Sequence, residues 1–363
     1  MPWNWELPNW PTFNYDPKKI SLQEKQFLLS VGSASASLKN VVEEDYNQFI
    51  VEILSAEGME SSKIEGEILD RESLQSSIKR HFGLNTNHKQ ATEKESGMAN
   101  LLCNVYESFD QPLSHEMLWR WHSELFQNQL HITDCGTYRT HAEPMQIISR
   151  RYDAPKVFFE APPSEMISKE MAAFVDWFNS THTSEPILGR TAIAHVYFES
   201  IHPFEDGNGR IGRLLVEKML SHSVERPVLI AVSKVLERRK KEYYAALERC
   251  NRTLDVDHWV EFFADVVLQA QEESMRLLYF LMEKAKMLTA LSGQLNPRQE
   301  KVLLRMFSEG LNGFKGGLSA ENYISITKAS RATATRDLAD LVQKNALRKT
   351  GELRHTRYWL NIH

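Results

Sequence analysis

The stretch SIHPFEDGNGRIGRLLVEKM (Ser200–Met219) decides how the rest of the chain is read. From Asn208 onward, Ile211, Leu214, Leu215 and Met219 fall on one face of a helix and Arg210, Arg213 and Glu217 on another, so the spacing predicts a helix anchored on one side and cationic on the other. Gly207 and Gly209 let backbone amides approach a ligand without side-chain obstruction, and the unpaired N–H groups at the positive end of the helix attract anions. Phosphate is the natural occupant. A bare carboxylate at Asp206 would repel that phosphate unless a cation lies between them, so charge balance implies Mg²⁺. Arg210 and Arg213 have the fork geometry for the outer phosphates, and His202 carries a ring that accepts a proton near neutral pH. The run is not a P-loop, because it has no G-x-x-x-x-G-K-[ST]. Taken singly, each residue has a plainer reading: a His before Pro is commonly a turn or core residue, D-G and N-G are common turns, and Arg at helical spacing is commonly a solvated face. The combination points to nucleotide chemistry.

Around this stretch lie 363 residues, 42% hydrophobic and 25% charged, enough for one large or two to three smaller globular domains. No apolar run approaches the roughly 18 residues of a membrane span, and the start, MPWNWELPNWPTFNYD, is aromatic and acidic, so the expectation is a cytoplasmic protein with no membrane partner. Cys103, Cys135 and Cys250 are far apart with no C-x-x-C pair, so neither a disulfide framework nor a zinc site is indicated, and buried reduced thiols are expected. The net charge of −5 hides an asymmetry: residues 295–363 carry twelve Lys and Arg against six Asp and Glu, a balance of +6, which leaves −11 on the remainder.

Trp3, Trp5, Trp10 and Phe13, set among prolines, suit an aromatic segment packed on a neighbour. Helical spacing is read over 45–68, interrupted at Gly58, and over 93–109, 114–128, 164–179 and from Gly189 into His202. Between the second and third of these later helices, residues 136–166 are rich in Gly and Pro. They hold two short runs, Met145–Ser149 and Lys156–Phe159, which read as a hairpin-like flap. KVLERRKKEYYAALERC and the long helix from Val256 follow, and LSGQLN marks a boundary near Leu291. Three further helices and a short hairpin about a Gly turn then spell a winged helix-turn-helix. Its third helix, about Ser330–Asn345, offers Arg331, Thr333, Thr335 and Arg336 to a DNA groove, with Arg354 or Arg357 in the wing. Protein docking or homodimer formation is the equal alternative for this module.

HPFEDGNGRIGR (His202–Arg213) resembles, position by position, the HPFx[D/E]GNGRxxR motif of the Fic family. The similarity runs over about residues 45–265 and takes in GTYR (Gly136–Arg139), the flap and YYAALERCN (Tyr243–Asn251). The resemblance implies a mainly α protein, a Fic-type helical core with a short β-hairpin flap, to which the winged helix is appended. It implies transfer of AMP from ATP to a Ser, Thr or Tyr hydroxyl of a target protein or of the chain itself, releasing pyrophosphate. His202 would be the base, Asp206 the Mg²⁺ ligand, and Gly207, Asn208 and Gly209 the anion hole, with Arg210 and Arg213 on the phosphates. By the same resemblance Tyr243, Tyr244 and Asn251 would line the nucleoside pocket, although helix-face packing is the plainer reading of the Tyr pair. Ile147, Ile148 and Ser149 would form the flap edge that takes a target segment by strand addition. Relatives with Lys at the position of Gly209, or without the equivalent of Arg213, use other phosphate chemistry. This sequence keeps both, which favours AMP.

SSKIEG (Ser61–Gly66) fits the [S/T]xxxE[G/N] pattern of the inhibitory helix in the same family, which implies that Glu65 pairs with Arg213 and displaces the γ-phosphate. Ser62-x-x-Glu65 is equally a capping-box match, but the apolar pattern precedes it, as at a helix end. The expected organisation is residues 1–90 as an aromatic-rich segment and inhibitory helix, 91–265 as the catalytic core, 266–294 as a helical linker and 295–363 as the winged helix-turn-helix. An enzyme that removes AMP and a DNA-binding regulator are the competing functions.

Overall fold

The computed structural model describes all residues except 40, 86–90, 127–131, 149–155, 181–185 and 363. The chain divides into two compact units, Met1–Asn40 with Ile50–Ser274, and Val41–Phe49 with Met275–His363.

The first unit is built on two helices that are buried almost all round, α7 (Ile187–Ile201) and α8 (Asn208–Ser223), joined by the turn quoted above. Around them lie α1 (Ser21–Leu38), α2 (Glu43–Ile64) from Ile50 onward, α3 (Arg71–His81), α4 (Glu93–Glu107), α5 (His115–Phe126) and α6 (Ser164–Ser180). α9 (Val232–Arg238), α10 (Lys240–Cys250) and the long α11 (Asp257–Ala290), as far as Ser274, follow. Leu188, Ala192, Val196, Val216 and Leu220 meet Val235, Tyr243, Trp259 and Phe263 in one continuous core.

Several boundaries differ from those expected. α2 runs unbroken through Gly58, because a Cβ there would lie 2.7 Å from Leu102 Cδ1 and 2.9 Å from Met98 Cγ; the glycine is the point where α2 meets α4, not an interruption. The helix read over KVLERRKKEYYAALERC is two, divided at Arg239. α1 and α3 were not anticipated, and the last two residues of the helix expected to Asn128 lie outside the described residues. Cys103 and Cys250 are buried as expected, but Cys135 is exposed.

The N-terminal aromatics pack on the first unit. Trp5 Nε1 donates to Glu160 O (2.7 Å), Trp10 Nε1 to Glu170 Oε2 (2.8 Å), and the buried Asn4 donates to Ser200 Oγ (2.8 Å). The flap is an antiparallel pair, β1 (Gln146–Ile148) and β2 (Val157–Glu160).

In the second unit, α12 (Pro297–Ser308), α13 (Ala320–Thr327) and α14 (Arg331–Gln343) are followed by an antiparallel hairpin, β3 (Leu347–Thr350) and β4 (Arg357–Leu360). Asn296, Ser319 and Ser330 cap the three helices. The buried Asp337 ties them together through Arg298 (2.9 Å), Asn296 (3.2 Å) and Tyr323 (2.9 Å), above a core of Val302, Leu303, Leu338 and Leu341.

Candidate active site

α7 is stopped by His202 itself, which adopts left-handed backbone (φ 51°) while its N–H closes on Phe198 O, and Pro203 forbids any continuation. A non-glycine residue in this region is strained, and such strain collects at functional sites. The turn beyond is held from several sides. Asn208 uses its carboxamide twice on Phe204, accepting from its N–H (2.9 Å) and donating to its carbonyl (2.8 Å). The buried Arg139 donates to His202 O (2.9 Å), Ser164 Oγ (2.9 Å) and Pro162 O (2.5 Å), and its own N–H to Pro203 O. Gly207, at φ 82°, then opens α8, whose first intrahelical bond runs from Ile211 N–H to Gly207 O. The N–H groups of the three residues between them have no partner within the helix, as at any helix start.

His202 is almost enclosed, and burial followed by the charge of Arg139 pushes its imidazole down to about 4. It is therefore neutral at neutral pH. Its Nδ1–H donates to Glu199 O (3.3 Å), which leaves the lone pair on Nε2, the arrangement required of a base. Glu199, with its carboxylate 3.9 Å from the same Nδ1, is pushed up to about 8 by burial.

On the cationic face of α8, Arg213 is 1% exposed. Its Nε donates to Ser61 Oγ (2.9 Å), and Nη2 to Ser61 O (2.9 Å) and to Glu65 Oε1 (2.8 Å). Burial alone would raise the Glu65 carboxyl; the charge and hydrogen bond of Arg213, with Arg210 and Lys240 beyond, lower it instead, so the pair is ionised. Glu65 follows the last residue of α2, which removes the capping-box reading, since that motif belongs to a helix start. Glu65 Oε1 also lies against the place a Cβ on Gly209 would take, so the carboxylate rests on the first turn of α8. Arg210, also buried, donates to Glu67 Oε2 (2.7 Å), has Asp206 Oδ1 at 3.6 Å and sits 4.9 Å above the Phe126 ring. Asp206 is half exposed and accepts from Gly207 N–H (2.5 Å).

His202, Asp206, Gly207, Gly209, Arg210, Arg213 and Glu65 thus come together. Asn208 joins them through its backbone only, since its carboxamide is spent on Phe204. Tyr243 is 1% exposed with its hydroxyl on His195 Nε2 (2.8 Å), packed in the core; Tyr244 beside it is the exposed ring. Asn251 donates to Phe158 O (2.9 Å) and holds the flap. With Trp5 on Glu160 O, it covers the outer edge of β2, so the open edge of the hairpin is β1, where Ile147 and Ile148 are exposed; Ser149 lies outside the described residues. Glu67, Arg139 and Ser61 were missed as site residues. Arg139 and Ser61 stand inside the quoted GTYR and SSKIEG runs, whereas Glu67 carries no signal beyond lying two residues past Glu65.

In the second unit Thr333 belongs to the N-cap of α14, its Oγ1 3.0 Å from Ser330 Oγ, and Arg357 folds onto Arg354 O and Thr356 O. Arg331, Thr335, Arg336 and Arg354 are exposed.

Residues 112–220 match the profile described as Fic/DOC family, and residues 3–84 one described as a domain of unknown function (DUF4172). The chain is 40% identical over 89 residues to protein adenylyltransferase fic-1 of Caenorhabditis briggsae, covering 24% of this chain and 16% of that protein. It is 33% identical over 128 residues to protein adenylyltransferase Fic of Drosophila willistoni, covering 34% and 24%. The matched stretch is thus a quarter or less of the length of these relatives. A solved Fic family protein from Desulfovibrio desulfuricans G20 shares the fold at a TM-score of 0.57 and 22% identity, over 96% of this chain and 98% of that one.

Proposed function

From a chain whose residues 112–220 are a domain of the Fic/DOC family, we propose protein AMP transfer: AMP passes from ATP to a hydroxyl of a target protein, and Glu65 holds the enzyme idle. The observation that carries this reading is that an anion already occupies the anion site, the Glu65 carboxylate lying on Arg213 and against Gly209.

When a phosphate replaces that carboxylate, the N–H groups at the start of α8 and the guanidinium of Arg213 face it, and the neutral Nε2 of His202 takes the proton of the incoming hydroxyl. The hydroxyl oxygen bonds the α-phosphorus, the bond to the bridging oxygen breaks, and pyrophosphate leaves. Among the described residues no group of three or more His, Cys, Asp or Glu could hold a metal alone. Mg²⁺ carried by one carboxylate and the phosphates of its substrate needs no such group, so the half-exposed Asp206 fits it, and the ion would neutralise charge on the phosphates there. The open edge of β1 suits a target backbone adding as a strand.

The Glu65→Gly protein incubated with ATP labelled at the α- or the γ-phosphate tests this. Label on protein from α-ATP alone is expected; transfer from γ-ATP would make the protein a kinase and overturn the reading.

For the second unit, DNA binding is favoured by how its charges are spent. Asp337 and Asp340 are paired to Arg298 and Lys344, while Arg331, Arg336, Arg348 and Lys349 are exposed with no ion pair among the described residues.

A further inference from the structure

We propose that His122 is a positioning residue for the anion-binding turn, and that through the carbonyl of Asp206 it fixes the direction of the Gly207 N–H and the place of the Asp206 carboxylate. This rests on the AMP-transfer reading of the turn.

His122 lies on α5 and is fully buried. Gly136 N–H donates to its Nδ1 (2.9 Å). A backbone N–H only donates, so Nδ1 is the nitrogen with the lone pair, and the proton of the neutral ring is on Nε2. Nε2 faces Asp206 O at 3.3 Å and donates to it. The ring is fixed in that pose by stacking on Phe204, 4.3 Å away and inclined by 6°.

The consequence follows from peptide geometry. The carbonyl of Asp206 and the N–H of Gly207 belong to one planar trans unit and point in opposite directions. Drawing the carbonyl toward α5 therefore turns the N–H away from α5, and that N–H holds an anion already, Asp206 Oδ1 at 2.5 Å. Elsewhere the turn is fastened by other groups: Arg139 holds the carbonyl of His202 and the peptide at Pro203, and Asn208 holds Phe204. The carbonyl of Asp206 is held by His122. One helical turn along α5, Phe126 fills the space where a Cβ on Gly207 would stand, 2.6 Å from its Cε2, and carries the guanidinium of Arg210 above it. Residues i and i+4 of α5 thus form the floor on which the turn is laid.

The test uses the full chain, ¹⁵N-labelled, with two substitutions. His122→Phe keeps a ring to stack and loses both hydrogen bonds; His122→Gln supplies one acceptor and one donor. The Gly207 amide resonance should move, and its hydrogen exchange quicken by about tenfold or more, in the first and not in the second. In the Glu65→Gly background, His122→Phe should lower kcat for AMP transfer at least about tenfold, as expected for a misdirected donor. Its MgATP dissociation constant, read by calorimetry, should change by less than about threefold, and His122→Gln should restore at least about half of kcat.

A folded His122→Phe protein with the parental Gly207 amide and the parental kcat overturns the proposal. Should His122→Phe not fold, His122→Gln decides: a parental Gly207 amide supports the role, and a displaced one overturns it. If the Glu65→Gly parent transfers no AMP while the Gly207 amide still answers to His122→Phe, the AMP-transfer reading fails and the positioning role stands.

Discussion

Replacing Glu65 by Gly should move stability and activity in opposite directions. Breaking a fully buried ion pair costs about 3–5 kcal/mol, chiefly because the remaining charge is left uncompensated. Here the Glu65 side chain is 31% exposed and Arg213 keeps both of its bonds to Ser61, so the loss should be nearer about 1–3 kcal/mol. MgATP supplies a substitute anion: at a hundred times its dissociation constant a ligand returns about 2.7 kcal/mol. The variant should therefore melt below the wild type without nucleotide and recover most of the difference with MgATP, while the wild type responds less. AMP transfer should rise at least tenfold, equivalent to relief of about 1.4 kcal/mol. Thermal melts with and without MgATP, beside incorporation of α-labelled ATP, give both quantities on one preparation. A folded Glu65→Gly protein that transfers AMP no faster than wild type, and gains no more from MgATP, refutes inhibition by Glu65.

His202→Ala should abolish transfer and leave MgATP affinity within a few-fold, and in the active background the rate should be flat around neutral pH. Because burial holds this imidazole at about 4, the base is lost only as pH falls through that value; a rate falling already between pH 7 and 6 would contradict the assignment. Glu67→Gln, added to Glu65→Gly, frees the second arginine and should tighten MgATP by about three- to tenfold, the value of one charge-assisted bond; calorimetry reads it, and an unchanged affinity would mean that Glu67 does not compete with phosphate. For the second unit, the full chain should bind mixed duplex DNA with an affinity that falls steeply with salt, and Arg336→Ala should flatten that slope by about one. A fluorescence-anisotropy titration with no salt-dependent shift would favour a protein-docking surface.

Helices with a one-sided apolar stripe, such as α4, α6 and α12, were legible from their periodicity, and so were the glycine turn and the start of α8 at Asn208. Gly58 misled because its role is set by Leu102 and Met98, some forty residues away, whereas propensity treats glycine as a local breaker. The surroundings of Tyr243 and Asn251 were not legible for the related reason that a motif names positions without saying which way they face. A single position along the helix separates the buried ring of Tyr243 from the exposed ring of Tyr244, and the carboxamide of Asn251 found a strand carbonyl. His122 and Glu67 were invisible because each acts through a contact with a distant element, a relation no spacing encodes.

The charges of the site suggest why inhibition and folding are hard to separate. Arg139, Arg210 and Arg213 are all buried around one turn, and a buried cation without a counter-charge is costly. Arg139 escapes that cost by donating to carbonyls, and burial lowers its guanidinium to about 10. Arg210 and Arg213 have carboxylates instead, Glu67 and Glu65, both delivered by the segment that leaves α2. On the reading proposed here a triphosphate brings the same charges to the same two guanidinium groups, so resting and nucleotide-bound states differ by an exchange of counter-ions. A partner that merely pulled this segment away would strand the buried Arg213 and leave Arg210 with Asp206 alone, 3.6 Å away. Release should therefore be favourable only when nucleotide is present to take the place of both carboxylates, which makes activation depend on ATP concentration as well as on the partner.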